Sequence, residues 1–360
     1  MTVTLDNVSV EVGAQTFIRD VTLDLKPGTV NVLLGPTLAG KTTLMRLLAG
    51  LDKPTRGRVL VDGKDVTNVP VRERNVAMVY QQFINYPAMT VYENIASPLR
   101  VQKIGRAEID TRVKDAAQLL RLTPYLDRTP LQLSGGQQQR TSIARALVKR
   151  ANLVLMDEPL ANLDFKLREE LREELPKVFE AARAVFVYAT TEPSEALLLG
   201  GNTACLWQGQ VLQFGPTSDV YRRPSSRQSA AVFADPPLNI LPARIAGGKV
   251  RFYNSGDAHD CRGLLSKLSD GDYTLAFRAH QVFVGQPAAG HYAFPAKVLL
   301  TEVTGSESFV HVSCAPDPWV SVIPGVSVLL PGDSATVSID PSNILVFGQS
   351  GALVAAPERR

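Results

Sequence analysis

Val30-Asn31-Val32-Leu33-Leu34-Gly35-Pro36-Thr37-Leu38-Ala39-Gly40-Lys41-Thr42 joins a short apolar run to a loop of the form G-x-x-x-x-G-K-[ST]. Beyond it, residues 42–51 carry Leu44, Leu47 and Leu48 at helical spacing and reach Gly50. A buried strand, a glycine loop and a helix in that order make a phosphate cradle, because the loop's N–H groups and the helix dipole both converge on the turn. Lys41 adds a point charge for β- and γ-phosphates, and Thr42 adds a hydroxyl suited to Mg²⁺. The loop side chains Thr37, Leu38 and Ala39 contribute only backbone N–H groups in this reading, and Thr43 continues into the helix.

Working outward, residues 3–10 alternate apolar and polar side chains, which predicts an antiparallel strand with one wet face. Residues 106–122 and 137–150 have helical periodicity. The apolar run 153–156 closes on Asp157-Glu158, and a further strand is predicted over 184–189. This alternation argues for a mostly parallel α/β core. An ionised Asp157 at the end of a buried strand is costly without a partner, and Mg²⁺ answers that need. Glu158 beside it is the natural general base for an attacking water. Pro176 falls inside a helix-like run and is expected to kink or split it.

Near Asp235-Pro236-Pro237 the texture changes. Short alternating segments (249–253, 273–278, 296–300, 309–313, 334–339) are separated by Gly, Pro and Asp, which predicts an all-β second domain. The domains are therefore expected at 1–235 and 236–360, with a helical subdomain at about 82–150.

Composition narrows the classes. The chain has 360 residues, 45% hydrophobic and 20% charged, with a net charge of +3 and no long single-sign run. Neither nucleic acid nor a lipid surface is indicated as partner. No apolar stretch approaches membrane-spanning length, and residues 1–13 lack a signal pattern, so a cytoplasmic location is expected. Cys205, Cys261 and Cys314 are far apart and odd in number, which fits small buried apolar side chains better than a disulfide or zinc pattern.

Leu133-Ser134-Gly135-Gly136-Gln137, followed by the strand ending in Asp157-Glu158, resembles the signature of the ATP-binding cassette (ABC) ATPases. Within them the chain is similar to the importer subunits for maltose-type sugars, glycerol and glycerol phosphate, over roughly residues 3–235. The resemblance implies a P-loop NTPase domain of α/β class followed by a small all-β domain of OB type (TOBE-like). It implies ATP and Mg²⁺ as cofactors, with Thr42, Gln81 and Asp157 toward the metal and Glu158 and Gln81 in catalysis. Gly35, Pro36, Thr37, Leu38, Ala39, Gly40, Lys41, Thr42 and Thr43 would hold the phosphates. Leu133 to Gln137 would act in trans on a neighbour's ATP, and Asn162 and Asp164 stand in the D-loop. Tyr86 to Ile95 resembles the segment that meets membrane subunits. Implied partners are a second ATPase, two integral membrane permease subunits and, indirectly, an extracytoplasmic solute-binding protein, with the chain peripheral on the inner membrane face.

Departures from the family pattern are informative. Thr191, in Ala189-Thr190-Thr191-Glu192-Pro193, occupies the switch-histidine position. The four histidines (His259, His280, His291, His311) all lie in the β-rich tail. Val12 replaces the aromatic residue that stacks on adenine, and Phe17 is set aside as its substitute on spacing. Leu38 stands in a loop that is Ser-Gly-Ser in the family, a change read as minor. Arg278 lies in Phe277-Arg278-Ala279-His280, where the family carries Arg-Pro-Glu. Three functions are consistent with these residues: an importer ATPase paired with a different ATPase, a slow homodimeric importer ATPase, or an ATP-binding regulator without transport. A small carbohydrate or polyol such as glycerol is the expected substrate of the first two.

Overall fold

A computed structural model describes the chain except residues 83, 162, 183, 254–256, 315–316 and 359–360; the side chains of 180–182 are also outside the description. Two compact units are present, Met1–Thr217 and Ser218–Arg360.

The first unit holds β1 (Val3–Val12), β2 (Gln15–Leu25), β3 (Val30–Leu34), α1 (Lys41–Ala49), β4 (Arg56–Val61), β5 (Lys64–Asp65) and β6 (Val76–Val79). After these come α2 (Val91–Val101), α3 (Arg106–Leu119), α4 (Gly135–Val148), β7 (Leu153–Asp157), α5 (Phe165–Ala182), β8 (Val185–Thr190), α6 (Pro193–Leu199), β9 (Asn202–Trp207) and β10 (Gln210–Pro216). An antiparallel sheet runs β2-β1-β4-β5, and a six-stranded sheet runs β10-β9-β3-β8-β7-β6. In the latter β9, β3, β8, β7 and β6 are parallel and β10 is the antiparallel addition. β3, β7 and β8 are mostly apolar and wholly buried, as strands covered on both faces must be. Val3, Leu5, Ile18 and Leu23 of the antiparallel sheet share one core with Leu44, Leu47 and Leu48 of α1 and Leu33 and Leu155 of the parallel sheet. α5 is a single helix through Pro176, so the expected split does not occur.

The parallel arrangement decides where the chemistry lies. β3, β8, β7 and β6 are neighbours and all end on the same edge, with Leu34 beside Thr190, Asp157 beside Ala189 and Val79 beside Met156. The loops that follow these four strands are thereby gathered into one crevice, the usual ligand position in an open parallel sheet.

The second unit begins with α7 (Thr217–Arg222) at its border, followed by α8 (Arg227–Val232). Its strands are β11 (Asn239–Ala246), β12 (Lys249–Phe252), β13 (Ala258–Asp260), β14 (Gly271–Phe277), β15 (Val282–Val284) and β16 (Tyr292–Val303). They continue as β17 (Glu307–Ser313), β18 (Trp319–Pro324), β19 (Ser334–Ile339), β20 (Leu345–Phe347) and β21 (Leu353–Ala355). Two antiparallel sheets, β13-β12-β11-β14-β20-β21 and β15-β19-β16-β17-β18, form a nearly closed barrel of OB type. They share a core in which Trp319 stands edge-on to Phe277 and Phe294. The break between units falls earlier than the change in sequence texture. Ala230 of α8 packs with Ala276, Leu345 and Phe347, and Arg227 N donates to Gly351 O at 2.9 Å. This short helical segment therefore belongs by contact to the β-rich unit. Of the cysteines, Cys205 is buried, while Cys261 and Cys314 are only partly so.

Candidate nucleotide site

Gly35 starts the loop directly at the end of β3, and its N–H donates to Thr190 O at 3.4 Å. A Cβ on Gly35 would lie 2.5 Å from Leu206 O, so the chain passes there only as glycine. Gly40, with φ of 101°, turns the loop into α1 where a Cβ would meet Ile18 Cδ1 at 2.7 Å. Ala39 is buried beneath the turn, its carbonyl accepting from Gly209 N at 3.1 Å. Pro36, Thr37 and Leu38 are exposed. Leu38 departs from the expectation that its substitution is minor. Its φ is 67° and its side chain is 95% exposed, so a branched L-residue holds the left-handed geometry that glycine adopts freely.

Lys41 begins α1 and is buried. Its Nζ donates to Gly35 O at 2.8 Å and Pro36 O at 3.1 Å and lies 3.6 Å from Glu158 Oε1. Burial lowers its pKa, and the carboxylates of Glu158 and Asp157 oppose that shift. The ammonium is thus curled inside its own loop. Thr42 Oγ1 donates to Asp157 Oδ2 at 2.8 Å. Asp157, at the end of β7, is only 3% exposed, and burial raises its pKa against the Thr42 bond and the Lys41 charge. Glu158 follows with φ of 45° and its N–H on Ala189 O, which directs the chain out of the sheet. Gln81, two residues beyond β6, donates from Nε2 to Glu158 Oε2 at 2.9 Å.

These distances bring Gly35–Thr42, Gln81, Asp157 and Glu158 into one site. Thr43, on α1, is half-buried. Val12 closes β1 in the open, 65% exposed. Phe17, set aside on spacing, is also exposed, and its carbonyl lies 3.3 Å from a Cβ built on Gly40. β2 therefore runs directly against the phosphate loop. No group of three or more His, Cys, Asp or Glu able to hold a metal occurs among the described residues. The buried Asp157 carboxylate beside the Thr42 hydroxyl is an oxygen donor set that fits a hard cation such as Mg²⁺.

Thr191 lies one residue beyond β8 and is exposed. A side-chain network without a clear signal in the sequence ties down Tyr188 and Thr190 at the end of β8 just before it. Glu195 of α6, 5% exposed on its side chain, accepts from Thr190 Oγ1 at 2.6 Å and from Tyr188 OH at 3.1 Å. Arg172 of α5 pairs with Glu195, Glu192 and Glu169. Burial, reinforced by Glu195, pushes the Tyr188 hydroxyl well above its ordinary range. The only sequence signal was that Glu195 lies five residues after Thr190 and seven after Tyr188, which becomes meaningful once α6 folds back on β8.

Ser134 and the residues after it lie at the start of α4. Ser134 Oγ accepts from Gln137 N at 3.3 Å while Gln137 Oε1 accepts from Ser134 N at 2.9 Å, a reciprocal capping box. Leu133 is buried, Gly136 is half-buried and Gly135 is exposed, so the positive end of α4 opens outward. Asp164 caps α5, accepting from Leu167 N at 3.0 Å. Asn162 lies outside the described residues.

The glycine loop, the buried aspartate and adjoining glutamate at the end of β7, and the capped signature on α4 belong to an ABC-type ATPase unit. The family model for ABC transporters matches residues 18–161. Over 354 residues the chain is 35% identical to the trehalose/maltose import ATP-binding protein MalK of Thermococcus litoralis, covering 94% of this chain and 95% of that protein. It is 35% identical to the sn-glycerol-3-phosphate import ATP-binding protein UgpC of Bordetella avium, covering 82% and 80%. The dimeric post-hydrolysis structure of the cassette MJ0796 bound to ADP and Pi covers 60% of this chain and 98% of its own, with a TM-score of 0.55 and 30% identity. The chain belongs to the ATP-binding proteins of the sugar and glycerol-phosphate ABC importers.

Proposed function

We propose that this chain is one half of an asymmetric ATPase pair: its own ATP site turns over slowly, and its signature serves a competent site on a different ATPase. Thr191 carries the reading. It stands exposed after β8, whose last carbonyl bonds to the phosphate loop at Gly35, and all four histidines of the chain lie in the second unit. Threonine cannot supply a positively charged or acid–base group there. The loss of one such group typically costs about 10²–10⁴-fold in rate.

In this site Lys41 and the N–H groups of Gly35–Thr42 bind the β- and γ-phosphates. Thr42, Asp157 and Gln81 would hold Mg²⁺, which when bound would offset charge developing on the γ-phosphate. Glu158 takes the proton of the attacking water as the oxygen bonds to phosphorus and the bond to ADP breaks. Val12 offers the adenine apolar contact without a π face. Ser134, Gly135, Gly136 and Gln137 close over the ATP of the partner, and Asp164 lines the same interface. Two permease subunits receive the motion, with this chain on the inner face of the membrane; no described helix is long and apolar enough to cross it. The second unit scaffolds or regulates the pair, and a small carbohydrate or polyol such as glycerol is the cargo.

Affinity purification from native membranes tests this. A second ATPase species with a histidine at the corresponding position is expected, and recovery of this ATPase alone overturns the pairing. Gly136→Asp should silence turnover of the complex while leaving nucleotide affinity of the isolated chain unchanged. Thr191→His should raise turnover at this chain's site. A pure wild-type chain hydrolysing ATP at rates ordinary for its relatives would contradict the slow-site reading.

A further inference from the structure

The second unit contains a cavity of about 660 Å³ between α7, the turn after β14, and the segment preceding β20, remote in sequence from every nucleotide motif. Its wall includes Arg278, which is only 9% exposed. One Nη of Arg278 donates to Tyr221 O at 2.7 Å, and the guanidinium carbon lies 3.7 Å from the Tyr221 ring centroid. Its Nε is buried with no hydrogen-bond partner, and no carboxylate forms an ion pair with the group among the described residues. A guanidinium removed from water in this way is costly unless an anion answers it. Stacking on Tyr221 offsets only part of that cost.

The cavity's carboxylates are engaged elsewhere or point to other groups. Glu358 pairs with Lys267 at 3.0 Å, and Asp340 Oδ1 accepts from Ser342 N at 2.8 Å. Asp219 is engaged in an interaction of its own. Arg222 lies exposed on the rim with Lys267. His280, also on the wall, has its pKa lowered first by burial and then by the charge of Arg278. Ser342 and Asn343 add polar groups on the facing wall. The volume is that of a metabolite pocket and exceeds that of a bare ion.

We infer that this cavity binds a small hydroxylated oxyanion, with its phosphoryl or carboxylate group directed at Arg278 and the rim cations Arg222 and Lys267. Planar guanidinium recognises both oxyanions by paired N–H donors, and the polar facing wall suits hydroxyl groups. The site is independent of the nucleotide reading.

Calorimetric titration of the full chain with inorganic phosphate, glycerol 3-phosphate and gluconate tests it. The Lys41→Ala variant, or wild type saturated with a non-hydrolysable ATP analogue, removes the phosphate loop from the measurement. Saturable binding is expected, weakened about tenfold or more by Arg222→Gln combined with Lys267→Gln, a loss in keeping with charged hydrogen bonds. Those exposed side chains leave thermal unfolding unchanged, whereas Arg278→Gln is a harsher test of the same point. Hydrogen exchange should slow at 221–223 and 278–281 on binding. Binding of both phosphates without gluconate assigns a phosphoryl ligand, and the reverse assigns a carboxylate. Failure of all three probes to bind, or binding indifferent to the rim variants, overturns the inference.

Discussion

Gln81 Nε2 donates to Glu158 Oε2 at 2.9 Å, so a side chain two residues beyond β6 reaches the carboxylate that follows β7. Lys41 approaches the other oxygen of that carboxylate at 3.6 Å. The Glu158 carboxylate is thus approached from two sides. We therefore expect Glu158→Gln to remove the hydrolysis gained by Thr191→His, by about 10²-fold or more, with nucleotide affinity little changed. Single-turnover hydrolysis beside equilibrium binding decides it, and a gain that survives the substitution would place the base elsewhere.

Asp157 makes a pH prediction. Its folded pKa is raised above the ordinary 3.8, chiefly by burial. The folded state then holds the proton more tightly than the unfolded chain, so the Asp157 contribution is most favourable below 3.8 and is lost as pH rises through the folded value. Asp157→Asn should stabilise the nucleotide-free protein near neutrality by on the order of 1 kcal/mol. Its advantage over wild type should shrink on acidification. Denaturant unfolding at several pH values measures the difference, and an advantage that grows at low pH would reverse the sign argued here.

Leu38 offers a stability test at the phosphate loop itself. The left-handed conformation costs an L-residue roughly 1–2 kcal/mol, whereas glycine pays instead through its freer unfolded chain. Because the side chain makes almost no contact, Leu38→Gly should give a net gain of up to about 1 kcal/mol and Leu38→Ala none. Thermal melts of the two variants separate backbone relief from removal of an exposed apolar group. Equal gains would point to the latter.

Glu195→Ala should be far more damaging than its distance from the phosphate loop in sequence suggests. It strands Tyr188 OH and Thr190 Oγ1 in the interior and takes a partner from Arg172. A loss of about 3 kcal/mol is expected, and Glu195→Gln should recover much of it. If both variants unfold alike, packing rather than these bonds holds the loop after β8.

The phosphate loop, β3 and α1 were legible because their signal is local: apolar run, glycine spacing, leucine periodicity. The same holds for β7 and β8, which are short, apolar and β-branched. β11 escaped notice because Pro242 interrupts its alternation, although Leu241, Ala243 and Ile245 do face the core. The structure accommodates that proline because β12 begins to pair only at Ala243. Short strands such as β15, β20 and β21 carry three residues each, too few for a period to show. At the site, residue types and order pointed to Lys41, Thr42, Asp157 and Glu158. The strain at Leu38 and the clamp of Glu195 on Thr190 arise from φ angles and from helix return, and neither leaves a fixed spacing.

The bond from Thr190 O to Gly35 N belongs to the backbone, and the side chain that follows it at 191 is exposed. Folding is therefore almost blind to what stands at 191, while the signature on α4 is shaped by a cap that never involves that residue. On the asymmetric-pair proposal, an ATPase can lose its own catalysis by a change at this one position and still fold and serve its partner. Division of labour between two ATPases needs no new architecture, only an address where selection for stability exerts no pull.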